Sequence, residues 1–228
     1  ATLPAGVPEV YRRGGYIARV MTPGGRVVTD DFPAKHVHHH GIWTAWTKTV
    51  FEGRQPDFWN MGDGKGRVEF IGVDATSPTR VRSRSRYVDM TVKPERAALE
   101  EFFDVQMRPS MSAPRPANVF DVALTQSCVT SSPLQLSEYH YGGLGFRGRS
   151  EWDGAANCQF LTSEGITDRV KAHGTKVRWC HVSGRVDGVR AGIAILCHPS
   201  NFRAPQPIRV HPDEPFLCFA PPQGGAFT

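Results

Sequence analysis

Residues 119–124 read Val-Phe-Asp-Val-Ala-Leu, so in an extended chain Val119, Asp121 and Ala123 face one way and Phe120, Val122 and Leu124 the other. Both faces are at least partly apolar, which is the expectation for a strand held between two sheets. The run continues to Thr130 without a Gly or a Pro. Upstream, Arg80-Val-Arg-Ser-Arg-Ser-Arg86 has the same period of two and places Arg80, Arg82, Arg84 and Arg86 on one face. A solvated sheet face is expected there. A polyanion track would want interleaved aromatic residues, and none is present.

The same strand chemistry recurs between breakers along the whole chain. Tyr16–Val20 and Arg26–Thr29 flank a Pro-Gly-Gly turn and predict a hairpin. Further strands are expected at Trp43–Val50, Arg67–Asp74, Thr79–Met90, Leu99–Met107, Val119–Thr130 and Leu134–Tyr141. The last group is Cys158–Ser163, Lys176–Val182, Val189–His198 and Pro215–Ala220. Helical periodicity is confined to short connections at Pro94–Glu101 and Thr167–Ala172. With 23 Gly and 18 Pro spread evenly, the pattern predicts an all-β, large antiparallel β-sandwich with few short helices.

Length and composition agree. The 228 residues exceed one average domain of about 150 and fall short of two, so a single β-sandwich domain over 1–228 is expected. The start at Ala1 and the stop at Thr228, just after a strand-like segment, suggest trimming at both ends. The longest apolar stretch, Ile193–Cys197, is far below the roughly 20 residues of a membrane helix. No membrane insertion is expected. The charge of +5 comes from 21 Arg and six Lys without any basic run, so no nucleic-acid partner is expected. Five scattered Cys suit free thiols and favour a cytoplasmic location, with export left open by the trimmed start.

Four segments could carry chemistry. Lys35-His-Val-His-His-His40-Gly-Ile-Trp43 has four His in five positions. If extended, His36, His38 and His40 share a face and could approach a metal, with a second segment completing the set. The imidazoles could instead bond a sugar and shuttle protons, or cap a polar loop. Gln55 to Gly66 supplies Trp59 as a stacking platform and Asp57 or Asn60 as hydroxyl partners; simple turn chemistry is the alternative. In Glu138-Tyr-His140-Tyr-Gly-Gly-Leu-Gly-Phe-Arg147, Glu138 and His140 share a strand face, so the carboxylate could orient the imidazole. Arg147 stands beyond the glycines, ready for an anionic oxygen or a structural ion pair. Finally, Arg178-Trp179 and His198-Pro-Ser-Asn201-Phe-Arg203-Ala-Pro205 put polar groups at the mouth of an apolar strand. No G-x-S-x-G, H-E-x-x-H or phosphate-binding glycine loop appears.

Taken in order, His38-His39-His40-Gly41-Ile42-Trp43, Asp57-Phe58-Trp59, Tyr141-Gly142-Gly143-Leu144-Gly145-Phe146-Arg147, Arg178-Trp179 and the segment from His198 to Pro205 resemble the bacterial methane oxygenase PmoA-like family. The resemblance spans roughly residues 15 to 220. His40 is a departure, because members often carry Arg after the paired His. The resemblance implies a supersandwich similar to galactose mutarotase-like domains and a place in sugar catabolism. It does not imply methane oxidation, since that enzyme's membrane subunit is largely transmembrane helix.

The leading expectation is therefore a carbohydrate-active enzyme, a hydrolase, lyase or epimerase, acting on a pyranose or keto-sugar. His38, His39 and His140 are its acid–base candidates, oriented by Glu138. Trp43 and Trp59 would stack on the sugar, while Asp57, Asn60, Arg147, Arg178, His198, Asn201 and Arg203 would hold its oxygens. No cofactor is expected; a divalent metal on His38, His40 and a distant His140 or His198 is the second possibility. A non-catalytic carbohydrate-binding domain is the third.

Overall fold

The computed structural model describes residues 3–111 and 116–228. Its contacts gather into two compact units, one of Ala1–Tyr16, Trp46–Ser137 and Thr228, the other of Ile17–Ala45 and Glu138–Phe227. The chain is all-β and antiparallel, as its strand pattern predicts.

The first strands are β1 (Tyr16–Ile17), β2 (Ile42–Ala45) and β3 (Thr49–Phe51). Then come β4 (Gly66–Ser77), β5 (Arg80–Asp89), β6 (Arg96–Met111), β7 (Ala117–Cys128) and β8 (Leu134–Leu136). Next are β9 (Gly143–Arg147), β10 (Cys158–Thr162) and the four-residue helix α1 (Arg169–Ala172). The series ends with β11 (Trp179–Val186), β12 (Val189–Leu196), β13 (Ile208–Val210) and β14 (Phe216–Phe219).

In the first unit, β4, β5, β6 and β7 form a four-stranded meander, and β3 pairs with β8. The arginine face of β5 is a cross-strand ion ladder. Arg80 pairs with Asp104, Arg86 Nη2 lies 2.9 Å from Glu100, and Arg82 stacks 4.2 Å over the Phe102 ring. Arg86 and Glu100 stand directly across the antiparallel pair and Arg80 reaches Asp104 diagonally, and opposite charges so placed support the register. Strand β7 corrects one expectation. Phe120, Val122 and Leu124 are half-buried, but Asp121 and Ala123 are exposed, so this strand is covered on one face only.

Other departures follow from local breaks. The expected strand over Trp43–Val50 divides into β2 and β3 because Lys48 takes a left-handed φ of 52°. Glu95 ends the connection after Pro94, so Arg96–Glu101 is strand rather than helical turn. The 16–29 hairpin survives mainly as a turn: Thr22 N donates to Arg26 O and Val28 N to Val20 O, both at 2.9 Å. Helix α1 does form, capped by Asp168, whose carboxylate accepts from Lys171 N at 2.8 Å.

A buried polar chain crosses the covered face of the meander. Trp46 Nε1 donates to Gln126 Oε1 (2.8 Å), Gln126 Nε2 to Glu101 Oε2 (2.6 Å) and Tyr87 Oη to the same oxygen (3.0 Å). Burial pushes the Glu101 carboxyl up to about 7, against the pull of Gln126, Arg13 and Tyr87. A carboxyl raised on folding contributes most below its unfolded pKa of about 4.5, and that contribution is lost as pH rises through about 7. The difference between about 4.5 and about 7 corresponds to roughly 3 kcal/mol. Glu101→Gln is therefore expected to flatten the stability profile between pH 5 and 8 and to raise the midpoint at pH 8. Urea unfolding across that range checks it; a variant with the wild-type pH slope refutes it.

In the second unit, the sheet order is β1-β2-β9-β14-β13, and β10-β11-β12 form a second sheet. Strand β10 alternates cleanly, with Cys158, Phe160 and Thr162 buried and Gln159 and Leu161 exposed. Arg169 stitches β10 to the loop between β13 and β14. Its guanidinium reaches Cys158 O and Glu214 O, both at 3.0 Å, and stacks 4.7 Å over the Phe160 ring. Gly143 (φ 100°) allows β9 to approach β14, since a Cβ there would stand 2.5 Å from Phe219 O. All five cysteines are free thiols, as expected.

Candidate active site

The histidine segment curls. His36 N donates to Pro33 O (3.0 Å), His39 N to His36 O (2.8 Å) and Phe32 N back to His39 O (3.1 Å). Consecutive i to i+3 bonds of this kind make turns, so alternation along a strand does not apply. The expected common face of His36, His38 and His40 is therefore corrected. Residues three apart come together instead: the His36 and His39 rings stack at 4.7 Å and 8°. His38 stands edge-on to both, at 5.7 and 4.7 Å. His40 turns inward, wholly buried, with Nδ1 2.6 Å from Asp31 Oδ1. Among the described residues, the atoms close enough to share an ion are those of His36, His39 and Glu214, not of His40.

Strand β9 fixes both ends of this loop. Arg147 N donates to Gly41 O (2.9 Å) and Asp30 N to Arg147 O (3.1 Å). Antiparallel pairing sets Arg147 opposite Phe216 of β14, and the turn before β14 carries Glu214. That turn is closed by His211, whose Nδ1 accepts from Glu214 N (2.9 Å) and Asp213 N (3.2 Å). The acceptor role at Nδ1 leaves the proton of neutral His211 on Nε2.

Arg147 is completely buried and holds Glu214 through Nη1 and Asp153 through Nη2 (2.6 Å). One guanidinium thus faces two carboxyl groups. His36 Nδ1 lies 2.8 Å from Glu214 Oε2. The ligand atoms of His36, His39 and Glu214 all fall within 4.8 Å of one another. His39 is walled in by Phe216 (4.6 Å, stacked) and Trp43 (5.2 Å). Burial, then the neighbouring His38, His36, Arg147 and His40, hold His39 well below the ordinary imidazole range, so it is neutral near pH 7. Burial likewise lowers His211, although Glu214 pulls the other way.

His38, His39, Trp43 and Arg147 thus gather as candidates, but Trp43 is only 1% exposed and forms a wall rather than a stacking platform. Glu138 and His140 part company: β8 ends at Leu136, both residues are exposed in the following loop, and they share no strand face. The His140 ring meets Tyr139, Tyr141 and His173. Asp57, Trp59 and Asn60 belong to the first unit. There Asp57 is spent on a turn, accepting from Trp59 N (2.8 Å), Asn60 N (2.9 Å), Asn60 Nδ2 (2.8 Å) and Thr47 Oγ1 (2.9 Å). Trp59 is 3% exposed, so it offers no platform.

The late polar residues also serve local structure. His198 Nδ1 lies 2.7 Å from Ser200 Oγ, and Asn201 Nδ2 lies 3.8 Å from Cys197 Sγ. Arg203 pins the C-terminal segment through Pro221 O (2.9 Å) and Gly225 O (2.7 Å), while Arg178 is exposed. His36 stands in the histidine segment already named as a metal candidate, whereas Asp153, His211 and Glu214 escape the sequence reading. The signal for His211 and Glu214 is the His211-Pro-Asp-Glu-Pro215 stretch, an imidazole and two carboxylates in a proline-bounded turn.

Fold and site together define an all-β protein with a histidine–carboxylate centre fixed by a buried arginine. Residues 2–227 match a family of unknown function, DUF6807, and the chain belongs to that family. No curated protein and no solved structure matches the chain.

Proposed function

We propose that this protein is a carbohydrate-active enzyme whose reaction centre is the cluster of His36, His39, Glu214 and Arg147. The observation that carries the proposal is the convergence of two imidazoles and a carboxylate within 4.8 Å, over a guanidinium that holds the carboxylate in place. Glu214 is a positioned proton acceptor for a substrate hydroxyl or an acidic C–H. Neutral His39 offers a lone pair, and the Nε2–H of His211 is a donor for a sugar oxygen on which charge develops. A pyranose or keto-sugar fits this set of donors and acceptors, and the ordered motifs similar to the PmoA-like family support a sugar over other small polar ligands. Among the described residues no helix is long and apolar enough to cross a membrane, which gives no support to methane oxidation.

Turnover assays of the full chain with pyranoses and keto-sugars test this. Glu214→Gln and His39→Asn are each expected to lower kcat/KM at least about 100-fold, the usual weight of one acid–base group. His140→Ala is expected to stay within about twofold of wild type. Full activity in the Glu214 and His39 variants overturns the assignment, and saturable sugar binding without turnover replaces the enzyme by a binding module.

A further inference from the structure

We propose that His36, His39 and Glu214 bind one divalent first-row transition-metal ion, such as Zn²⁺ or Fe²⁺. The inference rests on the reaction centre proposed above. Two imidazole nitrogens and one carboxylate oxygen are the donor types that borderline cations take, whereas Mg²⁺ and Ca²⁺ prefer sets made of oxygen. Three protein ligands leave coordination positions open for water and substrate, as in catalytic rather than structural sites.

Distances fit with a small contraction. Ligands at about 2.1 Å from one ion lie roughly 3.0–3.4 Å apart, and the present donors lie within 4.8 Å. The His36 side chain is 34% exposed and can supply the movement, whereas Glu214 at 4% is held by Arg147. His39 is fixed by the stacked Phe216 ring and by Trp43. Supports of this kind outside the coordination shell orient ligands in metal sites. Charge agrees as well: the one guanidinium of Arg147 faces both Glu214 and Asp153, and a cation beside Glu214 offsets the second carboxylate. Ion binding replaces the His36–Glu214 contact and leaves Arg147 on the carboxylate.

The test uses the full chain prepared without a histidine tag, stripped with chelator and titrated with Zn²⁺ and Co²⁺. Elemental analysis should find one ion per chain, and Co²⁺ should give the visible absorption of a nitrogen–oxygen site. His36→Ala, at a half-buried position, should keep the wild-type circular dichroism and bind Zn²⁺ at least about 100-fold more weakly. Glu214→Gln should also lose affinity, while His140→Ala and His198→Ala should not. Absence of stoichiometric Zn²⁺ in the wild type, or unchanged affinity in His36→Ala, overturns the proposal. Because binding is read without substrate, the two proposals separate. Sugar turnover by a protein that takes up no stoichiometric metal overturns the metal site alone, and stoichiometric metal with no turnover of any sugar overturns the carbohydrate function alone.

Discussion

Arg147→Met is expected to destabilise the protein by about 3–5 kcal/mol, because it strips the cation from a buried carboxylate while leaving that carboxylate in place. The Arg147 side chain is fully buried, Glu214 is 4% exposed, and Asp153, on the other arm of the guanidinium, is 26% exposed. For a chain of this length each kcal/mol moves the melting temperature by roughly 2–4 °C, so a fall of roughly 6–20 °C is expected. Arg147→Lys should recover only part of this, since a single ammonium cannot fork to two carboxyl groups. The double variant Arg147→Met, Glu214→Gln should be more stable than Arg147→Met alone, because the neutral amide removes the uncompensated charge. Thermal and urea unfolding followed by near-ultraviolet circular dichroism decide the matter. A loss below 1 kcal/mol in Arg147→Met would show that the carboxyl groups find other partners.

The same residue shows why part of the site escapes a linear sequence. A strand ending in Arg after Gly-Gly is visible locally, and so is the alternative of a structural ion pair, which is the role the structure gives it. Its partner Glu214 is brought in by the pairing of β9 with β14, a long-range register that no local pattern announces. The period-two strands behave differently. In β10, side-chain alternation alone decides which residues face inward, and burial follows it, whereas in β5 burial alternates only over Arg84–Tyr87. In β7 the alternation was visible but its cover was not, because two partly apolar faces look alike whether one or both are covered.

The histidine segment misled for a related reason. Its spacing makes a common face only if the segment is extended, but Phe32 at φ 53° and the bond from His36 N to Pro33 O start a turn, which exchanges the pairing of His36 with His38 for that of His36 with His39. Trp43 and Trp59 misled through their size. A large aromatic ring serves equally as sugar platform or core wall, and only burial, which depends on the whole fold, separates the two.

Away from the site, Trp152→Ala carries the other large expected effect, about 3–5 kcal/mol. The ring is wholly buried between the segments that follow β9 and the middle of β11. A Cβ at Gly148 would lie 2.8 Å from the ring, and one at Gly184 would lie 2.6 Å from it. Its Nε1 donates to Arg185 O at 2.8 Å. Truncation therefore removes a large apolar surface, leaves a cavity that two glycine backbones cannot fill, and orphans a carbonyl. Trp152→Phe, which keeps much of the ring but not the N–H, should cost less than the alanine variant. Gly184→Ala in the wild type should cost about 1–3 kcal/mol by overpacking against the indole. In the Trp152→Ala background that penalty should shrink but not vanish, since the two indole atoms are gone while Asn157 O would still stand 2.8 Å from the new methyl group. A double-mutant cycle measures this directly: a coupling of 1 kcal/mol or more places the indole as the wedge on which β11 rests, and simple additivity would show that Gly184 is needed for some other reason.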